Sequence, residues 1–476
     1  MNPSLLQTHR AHSEFPLSRR SLLQRAATGF GGLALAGLLA EESRAASLAP
    51  KLTHFAPRAK RVLFLFMHGG PSQVDTFDYK PLLDRDHGKP LPFAKPRVVS
   101  APTGNLLRSP WRFAQHGQSG AWVSELFPNV ARHVDELCIV RSMQCSNSRH
   151  GAAVLELCTG SDTFVRPSMG AWLGYGLGSE NQNLPGFVTI CPNPSLGGTT
   201  AYGSGFLPAD YQGTPIGNSQ TPAERARIPF IENADGLPPH LQRSELDFLQ
   251  TLHQAQAAAS GSNPTLEARI ASFELAYRMQ ASVPDIQDLR RESEATRAAY
   301  GLNHPSTANF GRQCLMARRF LEAGVRFVQC SHSYKWDQHA NLRRDHQKNA
   351  LEVDQPIAAL LADLKARGLL EDTLVLWGGE FGRTPTCQGK DNDGRDHNPH
   401  GFTMWLAGGG VKPGISYGTT DDYGYYAAEN PVHFHDLHAT ILHLLGLDHK
   451  RLTYRHAGRD YRLTDVHGKV IQDILS

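Results

Sequence analysis

The sequence predicts an α/β fold, a mostly parallel sheet sandwiched between helices, and three observations predict it. Val62, Leu63, Phe64, Leu65, Phe66 and Met67 form an unbroken apolar run, as suits a strand buried on both faces of a parallel sheet. Two similar runs, Val325 to Cys330 and Thr373 to Trp377, each follow a segment with helical patterning. Each of the three runs stops at a polar cluster, and in open α/β sheets ligands gather beyond the carboxyl ends of the strands.

Lys60 and Arg61 mark the exposed entry to the first run, and Gly69, Gly70 and Pro71 end it. It delivers His68, which suits a metal ligand and a hydrogen-bonded core residue equally, and beyond it Ser72. Tyr79 to Pro110, rich in Pro, Lys and Gly, reads as an excursion at the sheet edge. Leu126 to Val134 is patterned as helix and Leu137 to Val140 as a second strand. The segment CSNSRHGAAVLELCTG, Cys145 to Gly160, places a polar turn before a helix whose first turn is His150 to Ala153. Helix N-termini carry unpaired N–H groups and a positive dipole end, so Ser146, Ser148, Arg149 and His150 are placed to meet an anion. Simple N-capping by Asn147 or Ser148 accounts for the same turn.

Phe187 to Cys191 reads as another strand, and Pro192 to Ile231 is rich in Gly and Pro. From Pro239 to Tyr300 the pattern is helical and charged, as in an inserted helical pair. Cys314 to Ala323 is helical before the strand Val325 to Cys330, which runs into SHSYKWDQH. Asp337 and His339, two apart beside Trp336 and flanked by His332 and His346, can share one metal ion. An amphipathic helix, Leu351 to Gly368, precedes the strand Thr373 to Trp377, which delivers Glu380 and Arg383 in GGEFGRTP. Next, DNDGRDHNPHGF carries Asp396, His397 and His400 in a loop before the strand Phe402 to Leu406. The last helix repeats Leu437, Ile441, Leu444 and Leu445 and is mainly structural.

The net charge of +3 falls to +1 when residues 1 to 45 are set aside, which argues against a nucleic-acid partner. Seven scattered Cys without a C-x-x-C pair give neither a thiolate zinc site nor a disulfide framework. Arg19 and Arg20 precede a Gly/Ala-rich apolar segment, with Ser43-Arg44-Ala45 as a small-x-small cleavage site. Residues 1–45 therefore read as a twin-arginine signal peptide, too short in its apolar run to span a membrane. Residues 46–476 are expected as one domain with a helical insertion at about 239–300, exported folded by the twin-arginine machinery to the periplasm or beyond, with no transmembrane anchor after cleavage.

The strand-end donors His68, Asp337, His339, Glu380, Asp396, His397 and His400 mix nitrogen and oxygen, which suits Zn, Mn or Fe rather than Ca. One or two ions, most simply Zn with Mn as the other choice, are expected. A pair would clamp the attacking and leaving oxygens of a transferred group. Arg383 and Arg149 are suited to a tetrahedral oxyanion through paired hydrogen bonds.

These motifs, from MHGGPSQVDTFD through WDQH, GGEFGRTP, GRDHNPHGF and GGGVKPG to HDLHATILHLLGLDH, resemble the alkaline phosphatase and sulfatase superfamily. The closer likeness is to its exported sulfatase-like family, domain of unknown function 1501. The resemblance implies an alkaline-phosphatase-like sheet with metals at the strand ends and a nucleophile at a helix N-terminus. His68 stands where relatives place a first-strand Asp ligand, Glu380 where they have the Asp of an Asp-His pair, and Phe381 where they have its His. His400-Gly401 is similar to the late His-Gly of metal-dependent phosphodiesterases. Against the sulfatase pattern C/S-x-P-x-R, Cys145 and Arg149 keep the ends, but Asn147 replaces Pro and the spacing to Thr159 is longer. A formylglycine nucleophile is therefore not expected, and His150 and Ser72 compete for catalysis.

The leading expectation is an exported metal-dependent hydrolase of phosphate or sulfate esters acting on a small-molecule or glycan ester. The alternative is a non-catalytic exported binding protein for sulfated glycans or envelope polymers.

Overall fold

The computed structural model describes residues 48–94, 102–229, 231, 236–260, 264–389 and 393–476. The expected signal peptide, 1–45, lies outside the described residues. In chain order the strands that matter here are β1 (Arg61–Phe66), β2 (Leu137–Gln144), β3 (Phe187–Ile190), β4 (Thr214–Ile216), β5 (Phe327–Ser331), β6 (Thr373–Gly378), β7 (Gly382–Gln388), β8 (Arg395–Asn398), β9 (Phe402–Ala407), β10 (Ile415–Tyr417) and β11 (Val432–His433). The main helices are α1 (His150–Thr159), α2 (Met169–Leu177), α3 (Pro239–Ser260), α4 (Pro264–Gln287), α5 (Ala308–Glu322), α6 (Leu342–Ala366) and α7 (Phe434–Leu444).

The central sheet runs β10-β2-β9-β6-β1-β5-β3-β4, with β11 paired to the end of β2. β1 pairs in parallel with β5 and β6, and only β9 runs against its neighbours β2 and β6. The apolar run read as a two-sided strand is one. Leu63, Leu65 and Met67 join the core under α5 and α6, while Val62, Phe64 and Phe66 join the core under α1, α2 and α7. Successive side chains leave opposite faces of a strand, so alternate residues of β1 serve two separate cores. Each such fully buried side chain stabilises the fold by about 1.5–3 kcal/mol. The expected α/β sheet sandwiched between helices is the observed architecture.

Two features of this topology place the site. Phe66 pairs with Ser331 of β5 and Gly378 of β6, so three strands end at one level. Because β9 is antiparallel, it begins at that same edge, and the residues before it lie beside the ends of the parallel strands.

Several elements differ from the sequence reading. Residues expected as the loop before β9 form β8, which pairs antiparallel with β7. The helix expected from Leu351 begins at Leu342 and takes in His346, whose ring is buried and whose Nδ1 lies 2.9 Å from Gln338 Oε1. The helix expected at Leu126 to Val134 is a 3-10 turn at Val130–Glu136. The helical insertion is present as α3 and α4. Leu275, Met279 and Val283 of α4 are buried, whereas Leu241, Phe248 and Leu252 of α3 are exposed. No helix among the described residues is long and apolar enough to cross a membrane.

Candidate metal centre

At the shared edge the chain assembles His150, Asp337, His339 and His397, each offering one donor atom, all within 4.8 Å of one another. They come from three places in the topology. His150 opens α1 directly after β2, Asp337 and His339 lie in the loop after β5, and His397 sits in β8 ahead of the antiparallel β9.

The three imidazoles are oriented alike. His150 Nδ1 lies 2.6 Å from Glu380 Oε1, His397 Nδ1 lies 2.6 Å from the Ser148 carbonyl, and His339 Nδ1 contacts Gln388 Oε1. Each of these partners is an acceptor, so each Nδ1 carries the proton and each Nε2 keeps its lone pair. All three Nε2 atoms converge on Asp337 Oδ1, at 3.2 Å from His150, 3.0 Å from His339 and 3.3 Å from His397. Ligand atoms around a tetrahedral ion with bonds of about 2.0–2.1 Å stand about 3.3–3.4 Å apart, close to those separations. The buried Nε2 of His150 makes no well-formed hydrogen bond. A carboxylate, carbonyl or amide oxygen behind each ligating ring is the arrangement that fixes tautomer and direction in metal sites. The residues therefore fit a divalent ion held by three nitrogens and one oxygen, a donor set suited to Zn, Mn or Fe.

Electrostatics agree with the geometry. Burial alone would raise the Asp337 carboxyl. The imidazoles of His150, His339 and His397 gathered around it, together with the Arg383 guanidinium 2.7 Å from Oδ1, instead hold it far below the usual carboxylate range. Burial would lower His150, but the Asp337 and Glu380 carboxylates beside it raise it above its ordinary value. Burial, with Arg383 and His150 nearby, pushes His397 down against the pull of Asp337.

The other residues singled out from the sequence fall around this group rather than in it. Glu380, fully buried, accepts both its His150 contact and the Gly69 N–H, at 3.0 and 3.1 Å from its two oxygens, and so acts behind the donors. His68 is also buried, stacked on Phe66, with Nε2 3.8 Å from Glu380 Oε1 and neither ring nitrogen hydrogen-bonded. Arg383 spends its guanidinium internally. It donates to the carbonyls of Gly69, Gly70, Trp336 and Arg395 as well as to Asp337, and it is 1% exposed, so the guanidinium is engaged inside the fold.

Ser72 is not brought to the centre. Its Oγ is buried and donates at 2.6 Å to Asp75, itself paired with the buried Arg395 at 2.7 Å. Asp396 stands behind the donors rather than among them: its Oδ1 accepts the His397 N–H at 2.8 Å and lies 4.0 Å from His339 Nδ1. His400 lies outside the donor group, its ring against Tyr425 and Tyr426. Arg149 is exposed at the N-cap position of α1, next to His150.

Several residues have roles in the site that the sequence reading did not assign to them. Gln388 and the Ser148 carbonyl orient two of the rings. Gly69, at φ +117°, lets the Asp337 loop close in, since a Cβ there would stand 2.7 Å from Trp336 N and 2.8 Å from Asp337 N. Gly394 does the same for the His339 backbone, with a Cβ position 1.9 Å from its carbonyl oxygen. The turn signal was legible at Gly69, but what approaches it was not.

The model of a family described as Protein of unknown function (DUF1501) matches residues 59–475. No curated protein matches the chain. Among solved structures, the lipoteichoic acid synthase LtaP from Listeria monocytogenes is similar at 11% identity and TM-score 0.35, over 87% of this chain and 78% of that one. The C-terminal periplasmic domain of EcEptC from Escherichia coli, in complex with Zn, is similar at 11% identity and TM-score 0.35, over 85% and 88%. The alkaline phosphatase from the Antarctic bacterium TAB5 is similar at 10% identity and TM-score 0.32, over 74% and 92%.

Proposed function

We propose that this chain, which belongs to the family described as Protein of unknown function (DUF1501), is a metal-dependent hydrolase of phosphate or sulfate esters. The observation that carries the reading is the convergence of His150, His339 and His397 Nε2 on Asp337 Oδ1 at the shared edge of the sheet. A divalent ion bound there, Zn in the first instance, supplies Lewis acidity toward an ester oxygen and lowers the pKa of a bound water.

The chain's own part is to hold and to orient. Glu380, Gln388 and the Ser148 carbonyl each keep a proton on Nδ1 of their histidine, so that all three lone pairs stay turned to the centre. Arg383 ties the Asp337 loop to the β1 end through the Gly69, Gly70 and Trp336 carbonyls. In this reading the exposed guanidinium of Arg149 and the N–H groups opening α1 bind the oxygens of a tetrahedral anion. Neither the buried Ser72 nor the buried Cys145 reaches the centre, which favours water as the nucleophile.

Support for action outside the cytoplasm comes from the twin-arginine pattern at Arg19 and Arg20. A small-molecule or glycan ester is the substrate class proposed. Purified protein should carry a divalent ion and hydrolyse an aryl phosphate, a phosphodiester or an aryl sulfate in a manner lost with Asp337→Asn. Folded, metal-loaded protein that is inert on all three ester classes would overturn the reading.

A second reading, a non-catalytic binding protein for sulfated glycans, is favoured by one observation. Four protein donors are enough to close a tetrahedral ion, as in structural sites. Retention of sulfated-glycan binding in His397→Ala protein that holds no metal would support it.

A further inference from the structure

The loop that carries Asp337 holds a residue whose backbone is bent against its own side chain. Tyr334 sits at φ +44°, a left-handed conformation that is an outlier for a bulky residue and persists only where the surroundings impose it. Here they do so from both sides. His332 donates its N–H to the Phe66 carbonyl at 2.9 Å, and Lys335 donates to the His68 carbonyl at 3.1 Å. The indole of Trp336 donates to His332 Nδ1 at 2.9 Å, and His332 Nε2 is held 2.8 Å from Glu352. Between these pins Tyr334 is turned outward over the site, 41% exposed, its ring edge-on to His150 at 5.2 Å and to His68 at 5.3 Å.

The result is a specific contact. The Tyr334 hydroxyl donates to Asp337 Oδ2 at 2.9 Å, while the three imidazoles face Oδ1. The two oxygens of one carboxylate are thereby divided, Oδ1 to the donor group and the Arg383 guanidinium, Oδ2 to the phenol. A carboxylate left to itself binds divalent ions through one oxygen or both.

We propose that Tyr334 is a positioning residue that confines Asp337 to a single donor oxygen and so keeps a coordination position open for the substrate ester. This inference rests on the metal-centre reading above and deepens it. Four donors close a tetrahedron, but a centre that expands to admit substrate needs the fifth position unclaimed by protein. Tyr334 reserves that position by occupying Asp337 Oδ2. The strained backbone serves the same end, because it sets the hydroxyl over Oδ2 rather than out in solvent.

The test uses the full chain stripped by chelation and reloaded with Co²⁺ as the probe, in the wild type, Tyr334→Phe and Asp337→Asn. Phenylalanine keeps the ring and the backbone pins and removes only the hydroxyl. Wild type and Tyr334→Phe are expected to take up the same amount of Co²⁺ and to melt together when metal-free. The visible d–d bands of the Phe variant should weaken by about twofold or more, as extra coordination moves the ion away from tetrahedral geometry. Identical spectra for the two proteins would overturn the role of Tyr334 and leave the metal centre standing. A wild type that takes up no more Co²⁺ than Asp337→Asn would overturn the metal centre itself, and the inference with it.

Discussion

Glu380 Oε1 lies 2.6 Å from His150 Nδ1, so a carboxylate that the fold buries completely is turned on a histidine and not on the donor centre. Its other anchor is the Gly69 N–H, which ties the end of β6 to the end of β1. Replacing Glu380 with Gln removes the charge that holds the proton on Nδ1. The expected outcome is metal affinity lower by about 10- to 100-fold, as for lost partners behind ligating histidines, read by chelator competition against the wild type.

Gly69→Ala tests the closeness of the two loops. The added methyl would stand 2.7 Å from Trp336 N at a backbone angle that disfavours any side chain. Asp337 must then move away from His150 and His397, and metal content should fall below half of wild type while circular dichroism still reports a folded α/β protein.

Ser72→Ala separates a structural hydroxyl from a nucleophile. Loss of its hydrogen bond to Asp75 should cost about 1.5–3 kcal/mol of stability, with metal content and any ester hydrolysis retained. Asp75→Asn should cost more, about 3–5 kcal/mol, because it leaves Arg395 buried and unpaired. Burial acts to raise Asp75, but Arg395 wins and holds it below its ordinary value. Its stabilisation is therefore complete above the unfolded carboxyl value near about 3.9 and is lost as pH falls through the lower folded value. Urea unfolding of wild type and Asp75→Asn across the acid range should show the difference between them shrinking only there.

Metal uptake should depend on pH through His150. Its proton is held more tightly than in an ordinary histidine by the Asp337 and Glu380 carboxylates, although burial opposes this. A ligating imidazole must be deprotonated at the donor nitrogen, so binding releases a proton and weakens as pH falls from about 8 to about 5. Calorimetric titrations in buffers of different ionisation enthalpy would count the protons released.

The sheet was legible because β1 is apolar at every position after Arg61, a pattern that suits burial on both faces and that Gly69, Gly70 and Pro71 mark off from a helix. The choice of strand ends was legible too, since Phe66, Ser331 and Gly378 do finish level. Side-chain direction was not. His68 and Glu380 both stand two residues beyond those ends, yet Glu380 turns to His150 while His68 packs on Phe66. Asp396 and His397 read as equal candidates in a loop. The structure separates them by role, since His397 turns Nε2 to the centre while the Asp396 carboxylate accepts the His397 N–H and stands 4.0 Å from His339 Nδ1. Arg383 was chemically suited to an oxyanion, but no sequence pattern reports that five internal acceptors already occupy it.

The most direct test of the donor group is elemental analysis of the purified chain alongside His397→Ala and Asp337→Asn, after reconstitution with Zn or Mn and removal of loose ions. The geometry predicts about one tightly held divalent ion per chain in the wild type and little or none in either variant, with both variants still folded. A wild type that retains no metal after reconstitution, or variants that retain as much as the wild type, would contradict it.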